Sequence, residues 1–126
     1  MNTRPLRYAV QEHFTEAHHF DLLFERDDAL VTWSIADFFA LLRGEPCEGK
    51  KLIDHRLKYL DYEGEIPGKG RVRLAARGYC EWQRIDLDVV ELRLDGDALR
   101  GRLAFRRSTD DASGTNWIVQ FYKELQ

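Results

Sequence analysis

Several things are scarce in this chain of 126 residues, and each scarcity excludes a class of protein. There are two cysteines, Cys47 and Cys80, too few and too far apart for a disulfide framework or a CxxC metal knuckle, so both are expected as free thiols. Uninterrupted apolar runs of membrane-spanning length are missing, and the opening "MNTRPLRYAV" lacks the apolar core of a signal peptide. No membrane partner and a cytoplasmic location are the expectations. Cationic excess is also lacking: the net charge is -3, so a polyanionic partner would have to be met by local patches such as Lys50 and Lys51 or Arg71 and Arg73. No repeat, linker or low-complexity tract divides the chain. One domain over 1–126 is expected, large enough to bury a core without metal or disulfide staples.

What is present reads mostly as strand. "RYAVQEH", "FDLLFE" and "ALVTW" are short apolar or aromatic runs, the last following the turn signal "RDD". Val89, Leu92 and Leu94 precede the turn at Asp95-Gly96, and Leu99, Leu103 and Phe105 follow it, the pattern of a hairpin. "RVRLAARGY" and "NWIVQFYKE" add two more strands. The spacing predicts an all-β fold, a closed or nearly closed antiparallel β-barrel. One segment breaks the period: "SIADFFALLRG" predicts a helix over Ser34–Arg43, with Ser34 as N-cap, Gly44 as the stop, and the helix covering one end of the barrel. Trp33, Trp82 and Trp117 are expected as core or rim aromatics, and the polar loop Ser108–Asn116 as the most mobile segment.

Histidine is scarce too, four in all, yet three lie in "QEHFTEAHHFDLLFE" with an aspartate beside them. On a strand, His19 and Asp21 share a face because side chains alternate. If the chain turns back between 13 and 19, His13 joins them. Two imidazoles and a carboxylate can hold a divalent ion while leaving positions open for substrate and water. His-x-Asp also arises by chance, and surface histidines remain the alternative on spacing alone. His18 would face away from His19 and is not expected as a ligand.

The remaining phrases shift that balance. "YAVQEHFTEAHHFDLLFE", "TWSI", "DHRLKYLDYEGEIPGKG", "LRLDGDALRGRLAFRR" and "NWIVQFYK" resemble, in order and over nearly the whole chain, the landmarks of the 3'-phosphoesterase domain of bacterial DNA ligase D. The spacing from His19 through Trp33 to His55 and Tyr59 fits without a gap. The resemblance implies a β-barrel that uses manganese to trim 3' ends of DNA in repair by non-homologous end joining, removing a terminal ribonucleotide and then the 3'-phosphate. It implies His13, His19 and Asp21 as ligands of Mn2+ or another divalent transition metal, and His55 and Tyr59 as catalytic groups at the scissile phosphate. Nucleic-acid 3' ends are the implied partner, with a separate DNA ligase or end-joining protein as a further one.

Four positions depart from the family pattern. Its arginine two residues beyond the ligand aspartate is Leu23 here, its lysine after the Trp33 position is Asp37, its arginine eight residues before the second histidine is Cys47, and its glutamate two before that histidine is Ile53. Asp37 has the look of a helix cap. Three of the four would have placed positive charge on a phosphate, a contact on which phosphoryl transfer leans. Arg43, Lys50, Lys51, Arg71 and Arg73 are the substitutes that nearby segments offer, and restoring arginine at position 23 is expected to raise monoester hydrolysis. The alternative function is a barrel that keeps its metal but only binds a nucleic-acid end or a repair partner.

Overall fold

A computed structural model describes residues 4–109 and 111–125. The elements in chain order are β1 (Leu6–Phe14), β2 (His19–Arg26), β3 (Ala29–Ile35), α1 (Phe38–Leu42), β4 (Cys47–Lys51), β5 (His55–Arg56), a single 3-10 turn (Leu57–Tyr59), β6 (Gly64–Glu65), β7 (Arg71–Ile85), β8 (Val89–Gly96), β9 (Arg100–Arg107) and β10 (Asn116–Lys123). The order β1-β2-β3-β4-β10-β9-β8-β7 is closed by pairing of β1 with β7, an eight-stranded antiparallel barrel. The short β5 and β6 hang on β3 and β7. All-β with a closed barrel is the fold that the strand pattern predicts. No helix among the described residues is long and apolar enough to cross a membrane.

Alternation fills the barrel. Tyr8 and Val10 of β1, Phe20, Leu22 and Phe24 of β2, and Trp33 and Ile35 of β3 point inward and meet Leu92, Leu103, Phe105 and Val119 from the opposite wall. Trp33 stacks on Phe105 with ring centroids 3.9 Å apart, and Trp117 meets Trp33 edge-on at 5.8 Å. Trp33 and Trp117 are buried and Trp82 is half-buried at the rim, the places expected of three structural tryptophans. The β2–β3 turn is two residues long, with Asp27 and Asp28 both at positive φ (51° and 63°), as a two-residue hairpin of this twist requires. Cys47 and Cys80 are free thiols.

The helix is shorter than expected. Ser34 is not its N-cap but a residue of β3, paired on one side with Asp21 and on the other with Lys50. Its backbone is committed to two ladders, so the helix cannot begin until the chain has left the sheet. Asp37 caps it instead, accepting the Ala40 N–H at 3.1 Å. Gly44, at φ 81°, stops it where expected. Phe38 and Leu41 of the helix are buried in the barrel core. In the loop before β10, the Asp111 carboxylate accepts the backbone N–H groups of Ser113, Thr115 and Asn116, which ties down a stretch expected to be mobile. Asp110 of that loop lies outside the described residues.

Candidate metal centre

The outer face of β1, β2 and β3 carries the chemistry. On β1 the outward residues are Ala9, Gln11 and His13; on β2 they are His19, Asp21, Leu23 and Glu25, since their neighbours fill the core. The β1–β2 hairpin does turn back between 13 and 19, and its last cross-strand pair is His13 with His19. Asp21 is paired with Gln11, one step inward on the same face. His13, His19 and Asp21 therefore converge, each offering a ligand atom within 4.8 Å of the others, and no other such group of three forms among the described residues.

The geometry fixes the protonation pattern. His13 Nε2 lies 2.5 Å from the Lys69 carbonyl and His19 Nδ1 lies 2.7 Å from the Ala17 carbonyl. A carbonyl oxygen only accepts, so each of these nitrogens carries the hydrogen and the other nitrogen of each neutral ring presents a lone pair. Those lone pairs are His13 Nδ1, 3.5 Å from Asp21 Oδ2, and His19 Nε2, 3.2 Å from Asp21 Oδ1. Lone pairs facing a carboxylate repel unless a proton or a cation lies between them. With a proton the carboxylate raises the His19 pKa above its ordinary value against the opposing effect of burial. With both rings in the neutral tautomers that the carbonyls set, His13 Nδ1 and Asp21 Oδ1 are buried with no hydrogen-bond partner, and such orphaned atoms are rare in native interiors unless an ion or water satisfies them. Two imidazole nitrogens with fixed tautomers, backed by main-chain carbonyls, and one carboxylate suit a divalent transition metal.

Lys69 reaches His13 because of its neighbour Gly70. The glycine sits at φ 82°, and a β-carbon there would run into the Phe14 carbonyl. Only glycine lets this loop close against the end of β1. Ala17 and Lys69 act through backbone atoms, which no side-chain reading of a sequence reveals.

The other expected site residues do not all gather here. His55 pairs with Leu30, four residues along β3 from Ser34, the partner of Asp21, which is about 13 Å along the strand. Its Nδ1 donates to the Ile53 carbonyl at 3.0 Å, leaving Nε2 for a ligand. From His55 the chain crosses the outer face as a strap through Tyr59 and Tyr62 to β6. Gln11 holds that strap: its buried Nε2 donates to the carbonyls of Tyr59 at 2.6 Å and Tyr62 at 3.2 Å. Gln11 was not expected as a site residue; its signal was a polar side chain two positions before His13 on the same strand face. Beneath the strap, Ala9, Leu23, Leu30 and Leu60 form a second apolar cluster, with Leu57, Tyr59 and Leu74 against it.

The four departures now have physical occupations. Leu23 is fully buried in that cluster. Asp37 caps α1. Cys47 is half-buried in β4, where burial first and then the nearby Asp37 and Glu45 push its thiol pKa up. Ile53 is exposed. Of the proposed substitutes, Arg71 and Arg73 flank Val72, the partner of His13, and so face the other side of β7; Arg73 is paired with Glu12 at 2.6 Å and Arg71 lies over the Phe14 ring. Arg43 pairs with Glu45. Lys51 donates to the Leu52 carbonyl at 2.6 Å and sits over Trp33. Lys50 is exposed and shares the face of Asp21 through Ser34. His18 pairs with Glu12 at 2.8 Å and stays out of the cluster, as expected.

Comparison with known proteins places the chain. Residues 11–107 match the model of the DNA Ligase D 3'-phosphoesterase domain. The chain is 30% identical to the multifunctional non-homologous end joining protein LigD of Pseudomonas aeruginosa over 94% of its own length and 15% of that protein. It is 29% identical to the LigD of Mycobacterium bovis, over 92% of the chain and 16% of the relative, and 26% identical to that of Mycolicibacterium smegmatis, over 94% and 17%. The chain thus spans about a sixth of the length of the curated relatives it matches.

Proposed function

We propose a function from one premise: this chain belongs to the DNA ligase D 3'-phosphoesterase domain family. The reading is a metal-dependent phosphoesterase, manganese its preferred ion, that removes a ribonucleotide or a phosphate from nucleic-acid 3' ends during end joining. The observation that carries it is the pair of orphaned atoms, His13 Nδ1 and Asp21 Oδ1, in a three-ligand cluster with fixed tautomers. A bound divalent ion would supply Lewis-acid stabilisation of the negative charge that builds on a phosphoryl oxygen. His13 and His19 would hold it through neutral nitrogens and Asp21 would contribute the compensating charge. Gln11 keeps the strap, and with it Tyr59, on the same face. His55, further along the same face, presents Nε2 and would act by donating to an oxygen of a substrate that spans the distance between it and the cluster.

A second reading, a barrel that binds 3' ends without turning them over, is favoured by one observation. The space where the family carries an arginine is filled by Leu23, Leu30 and Leu60. One assay separates the two readings: a duplex with a 3'-phosphate or a single 3'-ribonucleotide, with Mn2+, for the wild type, His19→Ala and His55→Ala. The phosphoesterase reading expects turnover that falls about 100-fold or more in both variants, with metal affinity lost only in His19→Ala. Wild-type activity no higher than that of the variants would remove catalysis and leave end binding.

A further inference from the structure

We infer that the strand entering this site is held by a groove on the β4–β10 side, with Lys50 as its phosphate contact and Ser34 and Asn116 as its polar floor. The inference rests on the nucleic-acid reading above but assigns a binding surface that the reading does not supply. Register carries it. Asp21 is directly opposite Ser34, Ser34 opposite Lys50, and Lys50 opposite Asn116. Residues directly opposite in a sheet share a face, so these four side chains form one continuous row on the outer surface. Adjacent strands are about 4.8 Å apart, which puts Lys50 about 10 Å from Asp21 along that row. It can therefore meet a backbone phosphate next to the reacting one rather than the reacting one itself.

Three of the four, Ser34, Lys50 and Asn116, line a cleft of about 490 Å³ whose walls also include His19 at one end and Ile118 as an apolar wall. The cleft thus borders the cluster at His19. Lys50 has no carboxylate within ion-pair distance among the described residues, whereas Arg43, Lys51 and Arg73 each lie within 4 Å of one. A solvated ammonium on a flexible stem is suited to a phosphate as a point charge. Along β2, two residues beyond Asp21, the family's cation position is closed by Leu23 and its cluster. The open side is the one with a lysine. Glu48 also borders the cleft and opposes a polyanion there.

Fluorescence anisotropy tests the assignment with a labelled single-stranded DNA ending in a 3'-hydroxyl, which leaves no 3'-phosphate to hydrolyse, in the presence of Mn2+. Lys50→Ala is expected to weaken binding about 5-fold to 10-fold at low salt and to flatten the slope of log affinity against log salt by about 0.7, one phosphate contact on a single strand. Lys50→Arg should bind as the wild type does, and Glu48→Gln should bind about 2-fold more tightly. Lys50 is exposed, so these variants should fold, and calorimetry should find their manganese affinity unchanged. A Lys50→Ala protein with wild-type affinity and salt slope would overturn the groove while leaving the phosphoesterase reading standing. Wild-type protein that does not bind the strand at all would overturn the groove, while loss of 3'-end hydrolysis with Lys50-dependent binding intact would overturn catalysis alone.

Discussion

Strand β2 presents two buried carboxylates on one face, Asp21 and Glu25, with Leu23 between them, and they are satisfied in opposite ways. Glu25 has cations: the guanidinium of Arg4 hydrogen-bonds both its oxygens, and the backbone and side chain of Arg7 add contacts at 3.0 and 3.3 Å. Those partners hold its pKa at about 2, below the ordinary glutamate value of 4.5. Asp21 has only the lone-pair sides of two histidines and one oxygen without a partner. The difference teaches what each carboxylate is for. A buried charge that the chain neutralises itself is part of the scaffold; one left without a cation is, on the function proposed above, the place for an external one.

The sharpest way to break this division is to put a charge between the two. Leu23→Arg restores the family's arginine, but Leu23 is fully buried among Ala9, Leu30 and Leu60. The guanidinium would displace the packing of Ala9, Leu30 and Leu60 and be drawn to the flanking carboxylates, away from any phosphate, so the variant should lose about 3–5 kcal/mol in urea unfolding, and the gain in monoester hydrolysis that the sequence comparison predicts should not appear. A well-folded Leu23→Arg with raised activity would mean that the strap opens over this cluster.

The scaffold half can be weakened with a smaller effect. Glu25→Ala should cost about 1–3 kcal/mol by chemical denaturation, since it leaves Arg4 and Arg7 without their buried partner. Because the folded pKa of Glu25 lies below its unfolded value, its contribution is complete above about pH 4.5 and is lost as the pH falls toward 2. Stability measured through that window should therefore decline less steeply in Glu25→Ala than in the wild type, and manganese affinity should not change in either. Smallest of all, Asp37→Ala should cost about 1 kcal/mol by removing the cap of α1, visible as a small fall in Tm with no change at the metal cluster.

The barrel was legible because its signal is short apolar runs between turns: "FDLLFE" and "ALVTW" are strands, and the first is buried along its whole length because the core takes Phe20, Leu22 and Phe24 and a second cluster takes Leu23. The grouping of His13, His19 and Asp21 was legible from the alternation of His19 and Asp21, with the convergence of His13 on His19 waiting only for the hairpin. Ser34 misled because a serine before an apolar periodic run looks the same whether it caps a helix or ends a strand. Its ladder partners, Asp21 and Lys50, are distant in sequence. The strap was invisible for a related reason. Its anchor is a side chain, Gln11, bonded to main-chain carbonyls some 50 residues away. The alternation that places Arg71 and Arg73 on the far face of β7 was readable from Val72, but only once His13 had been known to pair with it.

The most direct test of the central claim, that Asp21 and its two histidines await a cation, is isothermal calorimetry with Mn2+ on the wild type, Asp21→Asn and Glu25→Gln. Asn keeps the size of the side chain and removes the charge, so folding is preserved while the donor set is broken. The account predicts one Mn2+ per chain in the wild type, bound more tightly than Mg2+, an affinity about 100-fold or more weaker in Asp21→Asn, and wild-type affinity in Glu25→Gln. Equal manganese affinity in the wild type and Asp21→Asn would contradict it.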